Sequence, residues 1–295
     1  MLTKNSLVRL NPHFGCGLAF ALLCVAAHAT PVLDWHTFRA TTATPLSGQG
    51  TDDPVVGSFA ATADASFALG YLSSPVSLLN VGDQITLTFS VTFNDLTGMT
   101  NAGDNFRFAL FDLNGQVPVT ADSSATAGVD GQTDDFRGYM LGVRNGSGTG
   151  SGGSMRERTA ALGSGDNSFA TAGANAATSL GSVGGDPVTL VASVNGDGTG
   201  PNYSGVMTLT RTASGIDLSG SFVGSNSANM NVFSASDTTA PTSTTFGAVG
   251  FLIGDGLNVE EVSFSNVDVT YVPEPVSAAL LATAGAFLLA RRRRR

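Results

Sequence analysis

At 295 residues the chain is long enough for one large domain or two small ones, and 42% hydrophobic against 13% charged residues separates it from disordered chains. Basic residues are displaced to the ends: Lys4 and Arg9 open the chain, Arg291, Arg292, Arg293, Arg294 and Arg295 close it, and seven Arg lie between. All 23 acidic residues fall between Asp34 and Glu274, so the middle carries a balance of −16, which repels phosphates and excludes nucleic acid as a partner.

Residues 1–29 read as a secretory signal peptide. Lys4 and Arg9 supply the positive start, Phe14 to Ala27 is an apolar stretch, and Ala27-His28-Ala29 is the small-x-small pattern that signal peptidase accepts. An uncleaved anchor is the alternative, although the stretch is short for a membrane span. Cys16 and Cys24 both lie here, and neither has the preceding residues of a lipoprotein signal. Cleavage after Ala29 leaves a chain without cysteine, which must be stable without disulfides.

From Thr30 to Tyr271 the apolar period is two rather than 3.6. The clearest run is Gln84 to Phe93, where Ile85, Leu87, Phe89, Val91 and Phe93 alternate with hydroxyl residues after a turn-like Val81-Gly82-Asp83. Further strands are predicted at Phe106–Leu113, Phe136–Val143, Val188–Val194, Val206–Thr212, Ile216–Phe222, Phe246–Ile253 and Val259–Tyr271. In the last of these the apolar phase slips after Phe264, which predicts a bulge near Ser265-Asn266. Turn chemistry separates the runs at Asn114-Gly115, Asn195-Gly196-Asp197-Gly198 and Ala213-Ser214-Gly215, the last as a hairpin. The pattern predicts an all-β antiparallel sandwich occupying 30–271 as a single domain.

Within that domain 11 of the 41 residues from Asn145 to Gly185 are Gly. This Gly/Ser-rich insertion at 145–185 is expected to be a surface loop that adds little core, with a short strand around Asn167–Ala170 and a solvated Arg156-Glu157-Arg158 cluster.

The final 24 residues form a third segment, 272–295. Val272-Pro273-Glu274-Pro275 ends regular structure, because neither proline continues a strand or helix. Residues 276–290 are then uninterruptedly apolar or small, a helix of about 22 Å at roughly 1.5 Å per residue. It spans a hydrocarbon core of about 30 Å only with snorkelling or local thinning. The five arginines favour the cytoplasmic side, which places everything before Pro273 outside.

Pro273, Glu274 and Pro275, the apolar segment and Arg291 to Arg295 together resemble the PEP-CTERM sorting signal of Gram-negative bacteria. Val276 is a small departure, with Ser277 one place later than in many relatives. The resemblance implies that a membrane-embedded exosortase recognises and removes the tail. It further implies passage from an inner-membrane-anchored form to the cell surface or extracellular matrix, in company with exopolysaccharide or biofilm. The order of runs in the middle resembles concanavalin A-like jelly rolls: a Gly-Asp-started strand, a Phe-rich one carrying Phe106, Phe108 and Phe111, and much later the Phe246–Ile253 and Val259–Tyr271 pair.

Catalytic chemistry finds little material. After signal removal His36 is the remaining imidazole; on a regular strand it shares a face with Asp34, a weak basis for a nucleophilic arrangement. Zinc lacks ligands for the same reason. Some jelly rolls are glucanases bearing Glu-x-Asp-x-x-Glu, but Glu157, Glu260, Glu261 and Glu274 do not form that pattern. No cofactor is expected beyond calcium, for which Asp52-Asp53, Asp130 with Asp134-Asp135, and Asn195-Gly196-Asp197 offer oxygen ligands. Trp35, Tyr139, Tyr203 and Tyr271 are candidates for stacking on sugar rings, with core packing as the simpler use. The reading is therefore a non-catalytic exported surface or matrix protein, with a lectin-like carbohydrate-binding module as alternative and a polysaccharide hydrolase behind it.

Overall fold

A computed structural model describes residues 27–38, 55–57, 66–94, 106–120, 133, 135–144, 153–159, 177–186, 188, 190, 202–224, 229–239, 241, 243–254, 259 and 261–274. Fifteen strands occur among them. The first eight are β1 (His28–Ala29), β2 (Val32–Phe38), β3 (Val55–Gly57), β4 (Ser66–Ser77), β5 (Gln84–Asn94), β6 (Phe106–Asp112), β7 (Arg137–Gly142) and β8 (Ser154–Arg158). The remainder are β9 (Ala177–Ser182), β10 (Gly184–Gly185), β11 (Tyr203–Arg211), β12 (Ile216–Gly224), β13 (Met230–Asp237), β14 (Thr245–Ile253) and β15 (Glu261–Val272). One sheet runs β1-β15-β5-β11-β12-β13-β10, with β3 also on β15; the other runs β2-β4-β14-β6-β7-β8-β9. Every described pairing is antiparallel, so the expected antiparallel sandwich is the observed fold.

The two sheets bury their faces differently, and the sequence pattern follows from that. In the first sheet, Ile85, Leu87, Phe89, Val91 and Phe93 of β5 point into the core, while Thr86, Thr88 and Ser90 stay partly exposed. The second sheet is covered on both sides. On β4, Ala68 and Leu72 join the main core, while Phe67, Leu69 and Tyr71 join a second cluster with Phe111, Val119, Phe136 and Met140. The chain after β6 lies over that outer cluster, and the Val119 amide donates to the Tyr71 hydroxyl at 2.8 Å. A strand buried on both faces has no polar alternation, which is why β4 escapes a period-two reading.

Phe89 is the hub of the core. Its ring centroid lies 5.0 Å from Phe108, 4.8 Å from Phe251 and 6.1 Å from Phe106, each edge-on. Such pairs add about 0.5–1.5 kcal/mol each beyond their burial. Room for the ring comes from the next strand, where Gly205 stands directly opposite Phe89 and the ring fills the space a Cβ would occupy.

Several expectations are corrected here. The β15 bulge is present, its register shifting between Ser265 and Asp268 with Asn266 at φ 52°. A bulge not anticipated interrupts β2 between Leu33 and His36, with Asp34 at φ 52°; it turns Asp34 outward while His36 is buried, so the two do not share a face. The Gly-rich stretch is not simply a loop: β8 and β9 lie in it, Met155 and Val183 enter the main core, and Glu157 and Arg158 are buried rather than solvated. Arg158 is anchored by donating to the Phe136 carbonyl at 2.7 Å and the Thr133 carbonyl at 3.0 Å. The strand expected around 167–170 lies outside the described residues, as does most of 188–194.

Replacing Gly205 by Ala is expected to destabilise the protein by about 1–3 kcal/mol through overpacking against Phe89. The measurement is the urea midpoint of the full chain. Adding Phe89→Leu should recover part of the loss, since the two positions couple through one contact. A midpoint that is unchanged or raised in Gly205→Ala contradicts this account of the gap.

Candidate functional site

The site with the most specific geometry is the corner where the last strand leaves the sandwich. β15 ends at Val272, and Pro273 and Glu274 follow as the last described residues. Beneath them lies the turn from Leu79 to Asp83. Its Asp83 side chain is fully buried, an expensive position for a carboxylate unless donors surround it. They do: Oδ2 accepts from the Leu79 and Asn80 amides, both at 2.8 Å, and Oδ1 accepts from the Glu274 amide at 2.7 Å. The Tyr271 hydroxyl bonds the same carboxylate.

Burial alone would raise the Asp83 pKa. The amides of Asn80, Glu274 and Leu79, with the Tyr271 hydroxyl, outweigh it and hold the carboxyl below its ordinary value. Tyr271 moves the other way: burial first, then the Asp83 charge and hydrogen bond, raise its pKa. Next to Asp83, Gly82 sits at φ 99°, and a Cβ there would lie 2.9 Å from Glu274 Cγ. The Glu274 stem therefore rests on the bare backbone of the turn.

The N-terminal junction meets the same strand. His28 pairs with Tyr271, Ala29 pairs with Thr270, and the Thr30 amide donates to the Val269 carbonyl at 2.7 Å. Ala27 and Ala29 are exposed. The two expected processing sequences, 243 positions apart from Ala29 to Val272 in the chain, thus reach one end of one sheet. Pro275, Arg291, Arg292, Arg293, Arg294 and Arg295 lie outside the described residues, as does the apolar segment 276–290. Among the described residues no helix is long and apolar enough to cross a membrane.

A second polar group lies inside the sandwich. The buried Tyr139 hydroxyl donates to Asp237 Oδ2 at 2.8 Å, and Asp237 Oδ1 accepts from the Thr239 amide and hydroxyl, each at 3.1 Å. Glu157 stands opposite Tyr139 in register and so shares its face. Burial, the Asp237 bond and charge, and the Glu157 charge all raise the Tyr139 pKa, with Arg211 opposing them, so the phenol keeps its proton and acts as a donor.

The other candidates separate. Trp35, Tyr139 and Tyr203 are fully buried or nearly so, which removes them as sugar-stacking platforms; Tyr271 is half-buried and engaged with Asp83. Of the calcium candidates, Asp135 is described, and its Oδ2 accepts from Gln116 Nε2 at 2.9 Å; Asp52, Asp53, Asp130, Asp134, Asn195, Gly196 and Asp197 lie outside the described residues. Among the described residues no three His, Cys, Asp or Glu side chains gather as a metal site. Asp83 was visible in the sequence only as part of a turn, because nothing local links it to a residue 191 positions away.

No protein-family model matches the chain, and no curated protein matches it in sequence. Solved structures of similar fold include lectin II from Ulex europaeus, at 14% identity and TM-score 0.46 over 84% of this chain and 97% of that one. Basic winged bean lectin, solved with Tn-antigen, is similar at 11% identity and TM-score 0.46 over 83% and 97% of the two chains. The carbohydrate recognition domain of Emp46p, in a metal-free form, is similar at 12% identity and TM-score 0.43 over 81% and 88%.

A depressed carboxyl pKa stabilises the fold above the unfolded pKa, near about 3.9 for Asp, and that contribution disappears as pH falls through the lower folded value. Acidification is therefore expected to free residues 271–274 before global unfolding, because protonated Asp83 can no longer accept from all its donors. Hydrogen exchange of the Glu274 amide, compared at falling pH with a core amide such as Leu87 after correction for intrinsic rates, reads this directly. Equal loss of protection at both positions contradicts it.

Proposed function

We propose that the chain is a non-catalytic exported protein of the cell surface or extracellular matrix, sorted by an exosortase acting on its C-terminal tail. Residues 1–29 take it to signal peptidase; residues 276–290 then hold it in the inner membrane with the five arginines in the cytoplasm. The observation that carries this reading is the order of parts after β15: the last strand ends at Val272, and Pro273-Glu274-Pro275, the apolar segment and Arg291–Arg295 follow without intervening sequence. A completed sandwich is thus joined directly to an address. The acidic middle agrees with an exported, non-nucleic-acid role.

The absence of catalysis is part of the proposal. Asp237 and Glu157, the two carboxylates whose charges act on Tyr139, are 1% and 4% exposed and shut off from any substrate. Glycoside hydrolysis requires two carboxylates across an open cleft. That pair is therefore not placed to act as the two carboxylates of a hydrolase. No step is assigned to calcium.

Replacing Pro273-Glu274-Pro275 by alanines is expected to leave the tail attached and the protein in the membrane fraction, read by mass of the chain recovered from its host. Tail loss at the unmodified rate rejects the exosortase assignment.

A second reading, carbohydrate binding, is favoured by one surface. Across the outer face of the first sheet, Thr270, Thr86, Thr208, Ser219 and Ser234 stand in register on five neighbouring strands. Thr86 and Thr208 bond each other at 3.1 Å, and the row beside them holds Gln84, Thr210, Asp217 and Ser236. These two rows present hydroxyls, an amide and a carboxylate but no cation, a surface suited to a neutral polyol rather than a polyanion. Each hydrogen bond exchanges with water and nets only about 0.5–1.5 kcal/mol, so retention depends on many contacts along a polymer. Full-length protein is expected to co-sediment with the host's neutral exopolysaccharide, and Thr208→Lys to reduce the bound fraction. Equal sedimentation of the variant removes this face from consideration.

A further inference from the structure

Glu274 is the middle residue of the sorting motif, and the folded sandwich holds it in two ways. Its amide donates to Asp83 at 2.7 Å, and its side chain rests on Gly82, where a Cβ would come within 2.9 Å of Cγ. The turn that does this is itself pinned. The Gly82 amide donates to the Arg211 carbonyl at 2.8 Å, the Arg211 amide donates to the Asp83 carbonyl at 2.9 Å, and Asp83 receives Leu79 and Asn80. Tyr271, two residues before the motif, is fastened to the same carboxylate. The contact therefore joins the start of β5 to the end of β15 and is made only once both strands are in the sheet.

A peptidase takes its substrate as an extended chain, with backbone amides free to pair with the enzyme and side chains free to enter its pockets. A motif whose central amide already donates internally, and whose central side chain is packed on a turn, meets neither condition. We propose that the Gly82-Asp83 turn is a clamp that withholds the Pro-Glu-Pro motif from the exosortase, so that the tail of the folded protein is removed only when Glu274 is released from Asp83. This rests on the sorting function proposed above and adds the regulation of that same junction. The clamp keeps the folded cargo tethered for a time set by the opening of this corner, and it makes Asp83 and Tyr271 positioning residues rather than parts of the recognised signal.

The test follows tail removal in the host by pulse-labelling the full chain, unmodified or carrying Asp83→Asn or Tyr271→Phe. Protease-resistant sandwich is measured in the same samples. Asn presents one side-chain oxygen and an NH₂ group that cannot accept, so at least one of the amides now bonded to the carboxylate loses its acceptor. Asp83→Asn is expected to shorten the lifetime of the unprocessed form roughly three- to tenfold, the population change for losing one hydrogen bond of ordinary net strength. Tyr271→Phe, which removes a single hydroxyl at a half-buried position, should act in the same direction to a smaller extent, and it serves if Asp83→Asn does not yield a resistant sandwich. Equal or longer lifetimes in folded variants overturn the clamp alone. Tails retained in every chain, the unmodified one included, overturn the sorting reading and the clamp with it.

Discussion

Aromatic packing between the sheets is the constraint on which this protein depends. Both cysteines lie within the first 24 residues, so no disulfide can link the sheets. Among the described residues buried charges are few. Cohesion falls to a continuous set of rings in which Phe89 touches Phe106, Phe108, Phe251 and Phe264, and Phe106 and Phe108 in turn reach Phe222. Those rings come from β5, β6, β12, β14 and β15, so one cluster ties strands from both sheets. Gly205 belongs to this arrangement as much as the rings do, because a full-sized residue opposite Phe89 would displace the hub.

The few polar groups inside this apolar interior act as locators. The Tyr139–Asp237 bond crosses from one sheet to the other, and Asn231, fully buried, receives the Arg144 amide at 2.6 Å while donating to the Arg144 and Asp186 carbonyls. Apolar packing is tolerant of sliding; these directional bonds are not, since a shift leaves a buried donor or acceptor unpaired at about 1–3 kcal/mol. They therefore specify how the sheets face each other, at little net gain in stability.

What the sequence disclosed follows the same physics. A strand with one wet face advertises itself by alternation, and β5, β11 and β12 were legible for that reason; so was the β15 bulge, which shows as a slip of phase. Strands covered on both sides do not alternate, and β4, with Phe67, Leu69 and Tyr71 turned to a second cluster, went unseen. β8 was hidden by composition: Arg156, Glu157 and Arg158 look solvated until Phe136 and Thr133 supply carbonyls that bury Arg158. Asp34 and His36 misled because the alternation rule assumes no bulge between them. The terminal segments read as processing signals from local sequence alone, and the proposed function rests on that reading. The Asp83–Glu274 contact was not legible, because it depends on two strands that meet only after the chain has folded.

That last contact bears on the order of events during the export proposed for this chain. β15 lies between β5 on one side and β1 and β3 on the other, so the first sheet stays open until residues 261–272 are in place, which under the proposed export means until they have crossed the membrane. Those residues immediately precede the segment proposed to stay in the bilayer. The pairing of β5 with β15 is also among the most distant in the chain, and such pairings are late because loop closure must precede the contacts that reward it. A tail that remained attached until this strand had paired would keep both partners at the same membrane surface during the slow step. Release before pairing would free a sandwich with the β5 edge exposed, and an exposed edge is a template for aggregation. Under the proposed clamp, Glu274, two residues beyond β15, is engaged by Asp83 only after this pairing, so the completed sheet is what holds the Pro-Glu-Pro segment back from removal.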